Sequence, residues 1–521
     1  MRKFSILLIL TFVIFSLAIG REDPLKKRSE EFFFGKSTAA GVTSTIVDVN
    51  NITSWVSVVS SPGGLGWPPL IKNSWNGTFP RGSGVGMIYR EGLMIGGLVD
   101  DGGSPTLRAQ GVFYRTSMVP GRIITKGTAE NRDDPAVKRV WRVRPDYRTA
   151  DLKADAAEYF MKPLKDVTSA DEEALRQQYE NDWKDWPADK GAPWYTTTGP
   201  DAYNVKYGPG FDPNNPNHVP GIPGATQTVW AVANDLASDV GIQVFGSPPI
   251  GLELQLTEWA YSVSNPLNNI IFQQIRIIYK GTAAAKPDSK IDSVYIVKWA
   301  DPDLGDYSDD LAGCDSVLGL GYVYNANTVD HEYQSIGLPA PAVGFDFLQG
   351  PARYTGNPND SAVIGLEWRK GYKYWNENPL TTFVFFAAGT GISDPTNAPQ
   401  WFNLMRGGLP RPEYPSFVPF WSAFTRDPNV YPTKYAVAGD PVTKTGWIDG
   451  REIPPGDRRI VNVTGPFQLK LTDGKPDTAE IVVALIGAMG VDNLSSILVL
   501  KYYDIYAQFA KEFVPRASCK V

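Results

Sequence analysis

Three stretches decide the fold: LELQLTEWAYSV at residues 252–263, IIFQQIRIIYK at 270–280 and SVYIVKWA at 293–300. Each mixes β-branched and aromatic residues, whose side chains suit a pleated, half-buried surface. The breaks between them carry Asn265, Pro266, Gly281 and Pro287, residues that turn the chain or deny it a ladder hydrogen bond. Three long strands in succession predict an antiparallel sheet. Further out, GLMIGGLV at 92–99 is a short apolar run closed by Asp100, Asp101, Gly102 and Gly103. Residues 107–114 return as its hairpin partner, with Arg108 and Gln110 alternating with smaller residues. Residues 44–60, 319–325, 343–347, 381–388 and 479–488 read as further strands.

Two segments break this pattern. Over residues 166–184, Ser169 with Glu172 reads as a capping box, and Ala174, Leu175, Tyr179 and Trp183 recur at helical spacing, which predicts a surface helix. Over 496–513, Leu500, Tyr503, Ala507 and Ala510 recur likewise beside Ile497, Ile505, Tyr506 and Phe509, so a closing helix is expected, stopped by Pro515. Residues 187–224 read as a long turn-rich loop and 395–441 as an irregular cover. The expected fold is mainly β: a large antiparallel β-sandwich body over 44–513 with one surface helix and a C-terminal helix. A flexible segment (21–43) precedes it and a tail (514–521) follows.

Residues 1–20 have the form of an export signal: Arg2 and Lys3, an apolar run from Phe4 to Ile19, and small Ala18 and Gly20 before a cut at Arg21. An uncleaved anchor is the alternative, because the run approaches spanning length. After cleavage no stable membrane insertion is expected, and the chain belongs outside the cell, secreted or at the surface. The formal net charge of −6 and pI near 5.3 argue against a nucleic-acid partner, which needs a basic surface. Cys314 and Cys519 could pair, or Cys314 could be a buried free thiol; they are too few for a disulfide framework.

The chemistry concentrates in residues 301–315, DPDLGDYSDDLAGCD, where Asp301, Asp303, Asp306, Asp309, Asp310 and Asp315 crowd one connection. Charges this close repel unless cations, donors or solvent relieve them. Calcium suits best, because it takes six to eight oxygen ligands in flexible geometry. The spacing is not that of an EF-hand: Gly305 is fifth and Ala312 twelfth, where Gly at the sixth and Glu at the twelfth position are required. A different calcium loop using those six aspartates competes with a solvated turn in which each carboxylate accepts backbone N–H bonds. A bound cation would be structural, fixing the loop against the sheet edge.

A carbohydrate role is the other theme. Trp67, Trp75, Trp194 and Trp375 lie in Gly-, Pro- or Asn-rich surroundings where an exposed ring could stack on a sugar, although Trp also fills large β cores. A glycosidase needs two carboxylates across a cleft, and Glu253, Glu258 and Glu367 are candidates. With only His218 and His331, no nucleophile elbow, no P-loop and no dinucleotide fingerprint, other hydrolase and nucleotide chemistries have little to draw on. The reading is a non-catalytic, calcium-stabilised structural or adhesion protein touching glycan or cell-surface components. The alternative is a carbohydrate-active enzyme with paired carboxylates.

Several phrases together carry a likeness: residues 92–97, 299–315 with their Asp-Pro-Asp-x-Gly and Gly-Cys-Asp, 341–351, 401–407, 439–447 and 456–467. In this combination the chain resembles a family of uncharacterised exported proteins of Bacteroidetes-like and related environmental bacteria, over most of 44–513. The resemblance implies a β-rich body with the acidic stretch as its most recognisable feature, and no reaction. Members of that family often continue into further β-sandwich modules and a C-terminal sorting domain. This sequence stops at Val521 without either, a departure that puts the surface attachment implied by the resemblance in doubt and leads to the expectation of a released protein or a truncated reading frame.

Overall fold

The computed structural model describes residues 43–60, 64–66, 77–364, 367–375, 378–390, 392–409, 413–421 and 432–510. The expected signal (1–20), residues 21–42, Trp67, Trp75, Cys519 and the tail (514–521) lie outside them. The chain is mainly β, built on two large antiparallel sheets with few helices. The first sheet centres on strand Lys290–Pro302, flanked by Gly86–Asp100 and Arg458–Lys470, with Thr382–Ala387 beyond. The second runs from Gln227–Asn234 through Leu252–Ala260, Ile270–Tyr279, Asp477–Ala488, Ala342–Tyr354 and Leu320–Asn325 to Asp310–Asp315.

The three deciding stretches are strands, but they do not share one sheet. Leu252–Ala260 and Ile270–Tyr279 pair from Leu252↔Tyr279 to Ala260↔Ile271. Lys290–Pro302 instead joins the opposite sheet. The connection over 280–289 is the reason: it is long enough to bridge the roughly 10 Å between packed sheets, whereas a two- to five-residue hairpin would have kept the strand beside its predecessor. The expected hairpin does form, as Gly86–Asp100 with Thr106–Gly111.

Alternation along the strands builds the core. Leu252, Leu254 and Leu256 enter a cluster shared with Ile95, Val297 and Val461 of the facing sheet. A buried ion pair of the first sheet is hydrogen-bonded across to the second. Lys298 Nζ lies 2.9 Å from Glu91 Oε2 and donates to Gln273 Oε1 at 2.7 Å, while Gln273 Nε2 donates to Glu91 Oε1 at 2.9 Å and to Glu258 Oε1 at 3.0 Å. Removing one partner of so buried a pair costs about 3–5 kcal/mol, so this network fixes how the sheets align.

Helix Asn493–Ala510 closes the outer face of the second sheet, setting Ile497, Leu500 and Ala507 against Tyr322, Val482, Ala484 and Ile486. Helix Ser169–Lys184 buries Leu175, Tyr179 and Trp183 with Tyr147 and Leu152. Its capping box sits one residue earlier than expected: extended Thr168 is the cap, Asp171 N donates to its Oγ1, and Asp171 Oδ2 accepts from Thr168 N at 2.8 Å. The expected irregular cover contains a helix, Ala398–Met405, capped by Asn397 and burying Trp401, Phe402 and Leu404. Eight residues are too few for a helical period to stand out in the sequence. Among the described residues no helix is long and apolar enough to cross a membrane.

Candidate metal centre

The acidic stretch is not one loop. Asp301 and Pro302 finish the central strand of the first sheet, and residues 310–315 form the Asp310–Asp315 edge strand of the second. Between them the chain turns at Gly305, whose φ of +67° is left-handed and whose missing Cβ makes room for the Asp330 carboxylate. The connection therefore carries its aspartates from one sheet to the other, and this sorts them into two groups.

One group meets the needs of turns. Asp306 Oδ1 accepts from Ser308 N at 2.9 Å, and Asp309 accepts from Asn325 Nδ2 at 3.0 Å and Asn327 Nδ2 at 2.8 Å. Asp315 Oδ1 accepts from Val317 N and Leu318 N, and its Oδ2 lies 2.9 Å from Lys501 Nζ. These three expected ligands are occupied by donors, as in the solvated-turn alternative. His331 is exposed and begins a short helix capped by Asp330. The Asp212 turn likewise uses its oxygens internally, accepting from Asn214 N, and His218 Nδ1 accepts from Asp212 N at 3.0 Å.

The other group faces inward. Asp301, Asp303 and Asp310 are buried, and Asp301 and Asp303 gather with Asp457 so that one carboxylate oxygen of each lies within 4.8 Å of the others. This cluster could hold a metal ion. Strand pairing explains how Asp457 arrives from 154 residues away: Ala300 pairs with Ile460, and continuing that antiparallel register places Arg459 beside Asp301 and Asp457 beside Asp303. Asp457 and Asp394 were absent from the expected ligand set. Nothing in local spacing marks them; only the pairing of the strands at 293–300 and 458–470 would have.

Among the described residues, Arg459 is a cation that reaches the cluster. Its Nε lies 3.7 Å from Asp301 Oδ1 and 3.8 Å from Asp394 Oδ2, and Nη2 lies 3.4 Å from Asp457 Oδ2. Nε also donates to Tyr114 Oη at 2.6 Å, and that hydroxyl donates to Asp301 Oδ2 at 2.7 Å. Burial works against the guanidinium's charge, but Asp301, Tyr114, Asp394 and Asp457 more than offset it and hold its pKa above the ordinary value. Neighbouring Arg458 points to the other face, where it pairs with Asp449 at 2.7 Å.

Around one guanidinium thus stand Asp301, Asp394 and Asp457, with Asp303 and Asp310 close behind. Burial first, and the charge of Asp303 second, push the Asp310 carboxyl well above the usual range. Burial raises Asp394 too, with Arg459 opposing and Asp457 adding to the rise. Asp310 Oδ1, Asp394 Oδ1 and Asp457 Oδ1 are buried without a hydrogen-bond partner among the described residues. A donor set made only of carboxylate oxygens suits a hard cation of flexible coordination.

The carboxylates considered for glycosidase chemistry do not form such a site. Glu253 is buried against Lys280 Nζ at 2.5 Å and accepts from Ile123 N, whereas Glu258 lies in the core with Gln273. They project from opposite faces of one strand. Glu367 lies on strand Glu367–Lys370. Of the tryptophans, Trp194 is buried with its Nε1 on Gly208 O, and Trp375 is half-buried under the Arg353 guanidinium. Cys314 is a buried free thiol, raised in pKa by burial.

Comparison of the sequence with protein-family models and with curated proteins returns no match.

Proposed function

We propose that this is an exported, non-catalytic structural or adhesion protein whose body is fastened by calcium at Asp301, Asp303 and Asp457 and which makes contact with glycans at a surface. The gathering of Asp301, Asp303 and Asp457, with one oxygen of each within 4.8 Å of the others, carries the reading. A divalent cation there would tie the end of the central strand to the segment entering Arg458–Lys470. Its role is mechanical: it neutralises charge that would otherwise push strand ends apart. The signal-like sequence of residues 1–20 and the resemblance to exported proteins of environmental bacteria support export to a setting where calcium is millimolar.

Thermal melting of the full chain after chelation, then with millimolar calcium, tests this. The midpoint is expected to rise by several degrees on adding calcium and to fall back with chelator. An unchanged midpoint overturns the calcium role.

A further inference from the structure

A cavity of about 410 Å³ opens between the turn that follows strand Leu252–Ala260 and the closing helix, far in sequence from the acidic stretch. Its volume falls in the ~300–1,000 Å³ range of small-molecule sites. Ser264, Asn265, Asn268, Asn269, Tyr502 and Tyr503 supply its polar surface, and no residue lining it carries a charge.

The wall is fixed while its side chains stay available. Asn265 Oδ1 caps the turn Pro266–Asn269 by accepting from Leu267 N at 3.0 Å, which holds the amide and leaves Nδ2 to donate outward. Asn269 Oδ1 accepts from Asn51 Nδ2 at 2.9 Å, and Asn268 O accepts from Asn51 N at 2.8 Å, which ties the turn to a second segment. Among the described residues the Asn268 carboxamide, the Ser264 hydroxyl and both tyrosine hydroxyls make no hydrogen bond. Tyr503 packs into the cluster beneath the helix, and Tyr502, 57% exposed, stands beside it with ring centroids 5.9 Å apart.

We propose that this cavity binds a neutral saccharide. An ionic ligand would surrender water without meeting a counter-charge, which is costly. A purely apolar ligand would cover amides and hydroxyls and leave them unpaired. A pyranose avoids both penalties: its hydroxyls answer the asparagine and serine groups, and its C–H face lies on a tyrosine ring. The proposal rests on the glycan-contact part of the function above and gives that contact a place, with tyrosine rather than the expected tryptophans as the stacking surface.

The test is an array of immobilised neutral oligosaccharides built on glucose, galactose, mannose and N-acetylglucosamine, printed beside sialylated and sulfated glycans, probed with the full chain. Affinity for any glycan retained would then be measured by calorimetry for the native chain, Tyr502→Ala, Asn268→Ala and Asn268→Asp. These positions are exposed or half-buried, so the variants should keep the native melting midpoint, which is checked first. Binding to neutral glycans is expected, weakened about tenfold or more by each substitution. Neutral binding untouched by the substitutions, or a preference for acidic glycans, overturns the cavity as the site while glycan contact elsewhere survives. Absence of any glycan binding removes both.

Discussion

Among the described residues, two of the places that crowd carboxylates out of water are relieved differently. At the end of the central strand Asp301, Asp303 and Asp457 gather, and Arg459 reaches Asp301 and Asp457. Under the closing helix Asp504 faces Asp346 of strand Ala342–Tyr354, and Gln508 Nε2 donates to both, at 3.3 Å and 3.2 Å. Lys501 is the nearby cation on that helix, but it is spent on Asp315, whose charge adds to the crowding. Burial first, then the charge of Asp346 and the hydrogen bond to it, drive the Asp504 carboxyl well above its usual range. A second charge beside the first is opposed there, which favours the protonated form of Asp504. The difference is access. Asp346 and Asp504 are sealed, whereas the side chains of Asp394 and Asp457 remain 24% and 17% exposed, so a hydrated cation can approach the first cluster but not the second.

The comparison breaks most visibly if the first cluster does not answer to calcium. At a calcium concentration a hundredfold above Kd, binding to the folded chain alone adds about 2.7 kcal/mol. Asp303→Asn with Asp457→Asn should abolish that gain and leave the calcium-free chain as stable as the native one or more so, because part of the repulsion is gone. Melting of both chains with and without calcium measures it. A double variant that keeps the full calcium shift would move the binding site elsewhere.

The second cluster is sharpened by pH. Asp504 has its folded pKa raised above the unfolded value near 3.9, so its contribution is complete below that value and is lost as pH rises toward the folded pKa. In chelator, the stability of the native chain should fall with rising pH above the unfolded carboxyl value more steeply than that of Asp504→Asn, which cannot ionise, by at most the one-proton slope of about 1.4 kcal/mol per pH unit. Taking the difference between the two chains removes the same-signed contributions of Asp310 and Asp394, which both retain. Equal pH dependence in denaturant titrations of the two would mean that the proton is not held there.

What could be read from the sequence follows the range over which each signal acts. Strands announced themselves wherever β-branched residues ran long, as at Ile270–Tyr279 and Asp477–Ala488, because that signal is local. The assignment of strand to sheet was not local, and Lys290–Pro302 went to the facing sheet through its longer connection. The acidic stretch shows the same division. Its density was visible, but which oxygens point inward depends on Asp301 ending a strand and Asp310 starting another, and the third carboxylate arrives through strand pairing. In the same way Asp346 and Asp504 are unremarkable in sequence and meet only because a helix packs on a sheet.

The smallest effect separates the two halves of the acidic stretch. Asp306 accepts from Ser308 N as the cap of the short turn Tyr307–Asp309, an interaction worth about 1 kcal/mol when a cap is replaced by alanine. Asp306→Ala should therefore cost about that much with or without calcium, and the calcium-induced shift in midpoint should stay whole. His331→Ala, at an exposed helix start, should change stability by no more than about 0.5 kcal/mol and leave the shift alone as well. If Asp306→Ala instead erased the shift, the outward carboxylates would be ligands after all. The loop would then have to rearrange on binding, giving up the N–H and amide donors that now occupy Asp306 and Asp309.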